Sequence, residues 1–406
     1  MDFQTLILPN GIRVVHKRVK SPVAYCGLTV NAGTRDELED EHGMAHFLEH
    51  VLFKGTKSRN SLKISSLLEN EGGDLNAFTT KEETAIHAVV LKGDVGKAFD
   101  IIADIVFNPL FPEAELEKEK DIVRDEINLY RDNPSEQIFD EFEELMFPAC
   151  SLGRSILGTP KSLKNFTQEK VRNFVHRCYA TNQMVFASVG NYSIDRVAAL
   201  TDNYFSSVFE NKNSSNRTAP AEYKPFDLTK KLPNYQANCL LGNRSFSYND
   251  ERRYALSLLT NMLGGPSQNS RLNLALREMN GLSYGVEVAS TLYSDCGVTT
   301  IYFGTDKNSV EKCLALVNVE LDKIRDKKLS TLELSRAKKQ LIGQISIASE
   351  SSELLMLSMA KSLLNHGKIE AQKEVEERIK AISAEEILAV AQEVFCREKM
   401  SSLIYT

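Results

Sequence analysis

Residues 115–127 read Glu-Leu-Glu-Lys-Glu-Lys-Asp-Ile-Val-Arg-Asp-Glu-Ile and lie without a gap over residues 333–345, Glu-Leu-Ser-Arg-Ala-Lys-Lys-Gln-Leu-Ile-Gly-Gln-Ile. Self-similarity at long range constrains a fold strongly, because each copy has to build the same supersecondary unit. The patterns around the two segments repeat as well. In the first half a strand-like run at 25–31 precedes helical patterns at 43–54 and 60–72, then an extended segment at 75–91. A helix near 93–107, a proline-marked turn at 108–112 and a charged helix at 113–130 follow. In the second half a strand at 237–242 leads to a helix near 251–263, extended segments within 281–303, and helices at 308–326 and 331–349.

Between the halves, residues 211–225 carry no aliphatic side chain beyond alanine and are rich in Asn, Ser and Pro. Such a stretch reads as a connection. The expectation is a repeat at 1–210, a linker at 211–227 and a second repeat at 228–406. The fold class is α+β: two homologous α/β-sandwich domains, each a mainly antiparallel sheet backed by helices and related by internal duplication. A length of 406 residues agrees, since one core serves about 150.

Composition removes several function classes. Lys and Arg number 49 against 55 Asp and Glu, so no basic surplus advertises nucleic acid. The longest apolar runs are far too short to span a bilayer. No basic segment followed by an apolar stretch opens the chain, so a cytoplasmic setting is expected. The seven cysteines show no C-x-x-C pair, and most read as small buried side chains in a reducing compartment.

The sharpest local feature is His46-Phe47-Leu48-Glu49-His50. On a helix, positions 46 and 50 lie one turn apart on one face. Two imidazoles so placed can reach one metal ion with Glu49 beside them. Zn²⁺ suits the set, since it takes His nitrogen and carboxylate oxygen and a catalytic site leaves one corner for water. H-x-x-E-H is the inverted zincin pattern. The other five His form no second cluster, so a carboxylate is expected as third ligand. The charged helix offers Glu117, Glu119, Asp121, Asp125 and Glu126, and spacing alone does not choose among them. Glu119 and Glu126 share a face to within about 20°. In the second copy they become Ala337 and Gln344, while Thr260 and Asn261 stand where the first copy has Glu49 and His50. One copy is armed and the other is not.

With these residues the chain resembles the pitrilysin family of zinc metallopeptidases, which includes insulin-degrading enzyme and the mitochondrial processing peptidase, in its short bacterial two-repeat form. The resemblance rests on residues 8–15, 43–56, Asn76-Ala77-Phe78-Thr79, Glu119 with Glu126, and Tyr179, Asn182 and Gly190. It implies Zn²⁺ held by His46, His50 and Glu126, with Glu49 as general base and Glu119 an outer carboxylate at the metal. It implies that Arg277 and Tyr284 meet substrate and the tetrahedral intermediate, and that Asn76 and Ala77 lie on a strand edge pairing with substrate backbone. The first repeat would then be catalytic and the second would supply substrate contacts. A peptide substrate and a homodimer are further implications.

Two rivals are weighed. Gly281-Leu-Ser-Tyr-Gly285 fits G-x-S-x-G, but a nucleophile elbow runs strand, turn, helix, and the pattern here is helical before and extended after. The other rival is a catalytically silent structural or substrate-binding subunit of a larger complex, as some relatives have become. The intact metal set disfavours it.

Overall fold

The computed structural model describes residues 3–214 and 217–406. Met1 and Asp2 of the opening segment, and Ser215 and Asn216 of the expected linker, lie outside the described residues. The first half runs β1 (Gln4–Ile7), β2 (Arg13–Arg18), β3 (Val23–Val30), α1 (Met44–Leu52), α2 (Ser61–Glu69), β4 (Asp74–Thr79) and β5 (Thr84–Leu91). It continues through α3 (Val95–Phe107), α4 (Glu113–Arg131), α5 (Pro134–Met146), α6 (Pro160–Leu163), α7 (Gln168–Cys178), β6 (Met184–Gly190) and α8 (Ile194–Phe205). The second half opens with β7 (Asp227–Lys230), β8 (Ala237–Ser245), α9 (Arg253–Gly264), β9 (Ser283–Leu292) and β10 (Gly297–Thr305). Helices α10 (Val310–Asp326), α11 (Thr331–Ala348), α12 (Ser352–His366), α13 (Gln372–Ala381) and α14 (Ala384–Val394) then precede β11 (Ser401–Tyr405). Among the described residues no helix is long and apolar enough to cross a membrane.

The strands form two sheets, ordered β1-β2-β6-β3-β5-β4 and β7-β11-β8-β10-β9. Without β1 the two orders are the same. The pairing senses match too: β2 with β6 and β7 with β11 are parallel, and every other pair is antiparallel. The α+β duplication read from the α4 and α11 segments therefore extends to the whole strand topology.

Burial explains the layers. Every residue of β6 is buried, so both faces of its sheet need cover. On one face Val14, Leu28, Ile86 and Phe186 pack with residues of α1, α3, α4 and α7. On the other, Val15, Val185 and Val189 meet Met356, Met359, Ala360 and Leu363 of α12. The second sheet is covered alike: Leu241, Ile301 and Phe303 pack with α9, α10 and α14, while Leu240, Val298 and Leu403 meet Ile138, Phe142 and Met146 of α5.

The compact units are consequently not two contiguous stretches. One unit is Met1–Leu129, Arg154–Thr218 and Ala348–Glu370; the other is Tyr130–Gly153, Ala219–Ile347 and Ala371–Thr406. This differs from the division 1–210, 211–227 and 228–406, and the cause is apolar packing. Helix α12 buries its stripe on the first sheet, and α5 on the second. Two local readings also change. The extended segment 75–91 is a hairpin, with Thr80 N bonded to Glu83 O at 2.8 Å between β4 and β5. The helical pattern before Gly281 takes the form of a π-helix at residues 273–278.

Candidate metal centre

Helix α1 is short, and short helices gain little from propensity alone. It forms because Met44, Ala45, Phe47, Leu48, Val51 and Leu52 are all buried in the first core. Gly43, the residue before it, has φ +89° and lies against Gly158 at φ +75°; a Cβ on Gly43 would fall 2.6 Å from the Gly158 Cα. No side chain of Gly43 can cap the helix. Glu37 does so from a distance, its two oxygens accepting from Gly43 N and Ala45 N at 2.9 Å each. The free N–H groups of a helix start are thereby answered by a buried carboxylate.

His46 and His50 emerge on one face, ring centroids 4.7 Å apart. Helix α4 brings Glu126 to them: His46 Nε2 lies 3.7 Å from Glu126 Oε1 and His50 Nε2 3.5 Å from Glu126 Oε2. One ligand atom from each of the three residues lies within 4.8 Å of the others, the single such group among the described residues. Around tetrahedral Zn²⁺ with bonds of about 2.0–2.2 Å, ligand atoms stand about 3.3–3.6 Å apart. The donor set therefore fits the ion in kind, and its two imidazole–carboxylate distances are close to that spacing.

Electrostatics agree with that chemistry. Burial, reinforced by the neighbouring His50, pushes His46 down to about 4, so its ring is neutral near pH 7 with a lone pair to offer. Its Nδ1 is buried without a hydrogen-bond partner among the described residues. Burial also lowers His50, but bonding and charge from Glu126 and Glu119 outweigh it and leave the net shift upward. Glu126 is held low, chiefly by its bond to His50. Glu49 is pushed up by burial, against the pull of a bond from Thr79. That Thr79 hydroxyl donates to Glu49 Oε2 at 2.6 Å.

Of the two carboxylates on one face of α4, Glu126 meets both imidazoles at Nε2. Glu119 is buried and sits behind, its Oε2 3.2 Å from His50 Nδ1 and its Oε1 2.7 Å from Lys54 Nζ. A carboxylate on the far nitrogen of a ligating His fixes its tautomer and orientation. His42 does not join the group; its Nε2 is 3.0 Å from Ser155 O.

Asn76 and Ala77 lie on β4, the edge strand of the first sheet, whose single neighbour is β5. Asn76 is exposed, its amide donating to Asp74 at 2.6 Å, and Ala77 packs on the core. Arg277 and Tyr284 belong to the second unit. Arg277 lies in the last turn of the π-helix, exposed, 3.6 Å from Glu278; Tyr284 is 85% exposed on β9. Ser283 of the G-x-S-x-G pattern donates to Gly285 O and enters a strand, so it is no elbow. Where α1 and α4 carry the cluster, α9 and α11 carry Thr260, Asn261, Ala337 and Gln344, with Gln344 bonded to Ser267 at 3.0 Å. Thr79, Lys54 and Glu37 are absent from the sequence-based site. Only Lys54 leaves a trace there, one helical turn beyond His50.

A profile of the family described as insulinase (peptidase family M16) matches residues 13–160, and one described as peptidase M16 inactive domain matches residues 165–341. The chain is 32% identical over 398 residues to a Bacillus subtilis protein named uncharacterized zinc protease YmxG, covering 97% of this chain and 96% of that one. A Streptomyces coelicolor protein, also named an uncharacterized zinc protease, is 32% identical over 407 residues, covering 98% and 88%. Among solved structures, a protease from Helicobacter pylori superposes with TM-score 0.92 at 19% identity, covering 100% of this chain and 99% of that one. A Pseudomonas fluorescens structure titled peptidase M16 inactive domain gives 0.92 at 21%, covering 100% and 98%.

Proposed function

The chain belongs to the insulinase family of peptidases, family M16, and from that premise we propose that it is a zinc-dependent endopeptidase hydrolysing peptides or unfolded segments. The observation that carries the reading is the meeting of His46, His50 and Glu126 with Glu49 one position from a ligand. Those three residues would hold the ion. When bound, zinc supplies an acidified water and a Lewis acid for the scissile carbonyl. Glu49 takes a proton from the attacking water and returns it to the leaving amine, a task suited to a carboxyl raised by burial. Thr79 occupies Oε2 of that base and leaves Oε1 to exchange protons. The free edge of β4 pairs with an extended peptide through main-chain hydrogen bonds, and Thr79 at its end ties that edge to the base. Arg277 and Tyr284 enter as donors to substrate and the developing oxyanion, and the homodimer as the assembly, both on family resemblance.

Metal analysis with a quenched-peptide library tests the reading, comparing the parent chain with Glu49→Gln. The expected result is one zinc per chain in both proteins and cleavage by the parent, with kcat lower by a factor of about 10²–10⁴ in the variant. Undiminished cleavage by the variant contradicts the assigned base. Cleavage by zinc-free protein contradicts the mechanism, and a zinc-loaded parent that cleaves nothing favours the silent-subunit rival.

A further inference from the structure

His46, His50 and Lys54 stand at successive steps of four, the last just beyond the end of α1. Across from them Glu126 and Glu119 stand two turns apart on α4. The side chains interlock in order: His46 with Glu126, His50 with Glu126 and Glu119, Lys54 with Glu119. We propose that Lys54 is a positioning residue of the metal centre, acting through Glu119 on His50 to set how tightly the ion is held. This inference rests on the zinc reading above and concerns a residue which that reading leaves idle.

The physical case begins with Glu119, whose side chain is only 4% exposed. A buried carboxylate needs a compensating charge, and both its oxygens need donors. His50 Nδ1 serves Oε2 and Lys54 Nζ serves Oε1. With both oxygens engaged, the carboxylate cannot turn away, and the imidazole is held with Nε2 towards Glu126. Without Lys54, one oxygen loses its partner and the orientation of His50 loses its brace. The second repeat supplies an independent observation. At the offset that lays Phe47–Leu52 over Leu258–Leu263 the counterpart of Lys54 is Gly265, and at the offset that lays residues 115–127 over 333–345 that of Glu119 is Ala337. The copy without metal ligands lacks this pair as well.

The test is zinc affinity of the full chain, by competition with a chromophoric chelator, for the parent, Lys54→Met, Lys54→Arg, Glu119→Gln and the Lys54→Met/Glu119→Gln double variant. Thermal melting of the metal-free proteins checks folding. Partners behind a metal ligand are typically worth 10- to 100-fold in affinity, so Lys54→Met is expected to bind zinc 10- to 100-fold more weakly. Lys54→Arg, which keeps the charge, is expected to stay within about threefold of the parent. In the Glu119→Gln background, Lys54→Met is expected to change affinity less than about threefold, because its route to the metal is gone. Parent-like affinity in Lys54→Met overturns the inference while leaving the zinc reading intact. An equal loss with and without Glu119 also overturns it. A parent chain that takes up no zinc overturns both.

Discussion

Thr79 engages Glu49 Oε2 at 2.6 Å, and through that single bond the end of an edge strand orients the carboxyl proposed as the base. A hydrogen bond to a charged group is worth about 1.5–3 kcal/mol. Thr79→Val is therefore expected to lower kcat at least tenfold with zinc content unchanged, and Thr79→Ser to retain most activity, in steady-state assays on one peptide. Equal kcat in parent and Thr79→Val removes this role. His46, Glu49 and His50 were legible in the sequence because they lie on one helical turn, where spacing is geometry. The choice between Glu119 and Glu126 was not legible from spacing, since they share a face. Burial separates them: Glu119 packs behind His50, whereas 42% of the Glu126 side chain stays open beside both rings. Thr79 and Glu37 reach α1 from β4 and from the loop before it, and no local period records such contacts.

At the scale of elements, β2 and β6 pair in parallel, and His16 bonds across them to Ser188. Its Nε2 faces the Tyr192 carbonyl at 2.9 Å, an acceptor, so Nε2 carries the hydrogen and Nδ1 accepts from Ser188 Oγ at 2.8 Å. The neutral ring is fully satisfied, and burial holds its pKa below the usual 6.5 despite the pull of those bonds. Above pH 6.5 the ring is neutral in both folded and unfolded chains and adds no pH dependence. Below 6.5 the unfolded chain takes up a proton that the folded chain refuses, so stability falls as pH falls, by up to about 1.4 kcal/mol per pH unit. Urea unfolding of the metal-free protein at pH 5 and pH 7 is expected to show a steeper loss in the parent than in His16→Gln; equal slopes exclude the mechanism. The strands and helices of the two repeated blocks were legible from alternation and 3.6-residue spacing. The turn that splits 75–91 was not, because Thr80 and Glu83 close it through backbone and hydroxyl bonds in a run without Gly or Pro.

At the scale of the whole chain, a gapless match between two charged helices was enough to expose the duplication, because α4 and α11 keep one apolar frame. The exchange of cover helices was not legible. An amphipathic stripe on α5 or α12 says that a sheet face is needed, not which sheet offers it. The duplication also explains how the fold is kept in the copy without the His and Glu cluster: Ala337 is buried where Glu119 is buried, and the strand order is kept. Selection on packing and on chemistry act on different positions of the same unit. The most direct measurement is anomalous diffraction at the zinc edge from crystals of the full chain grown with Zn²⁺. The expected result is one peak about 2.0–2.2 Å from His46 Nε2, His50 Nε2 and a Glu126 carboxylate oxygen together, with none beside Asn261 and Gln344. A peak elsewhere, or imidazoles and carboxylate directed to separate points with no shared ion, would contradict it.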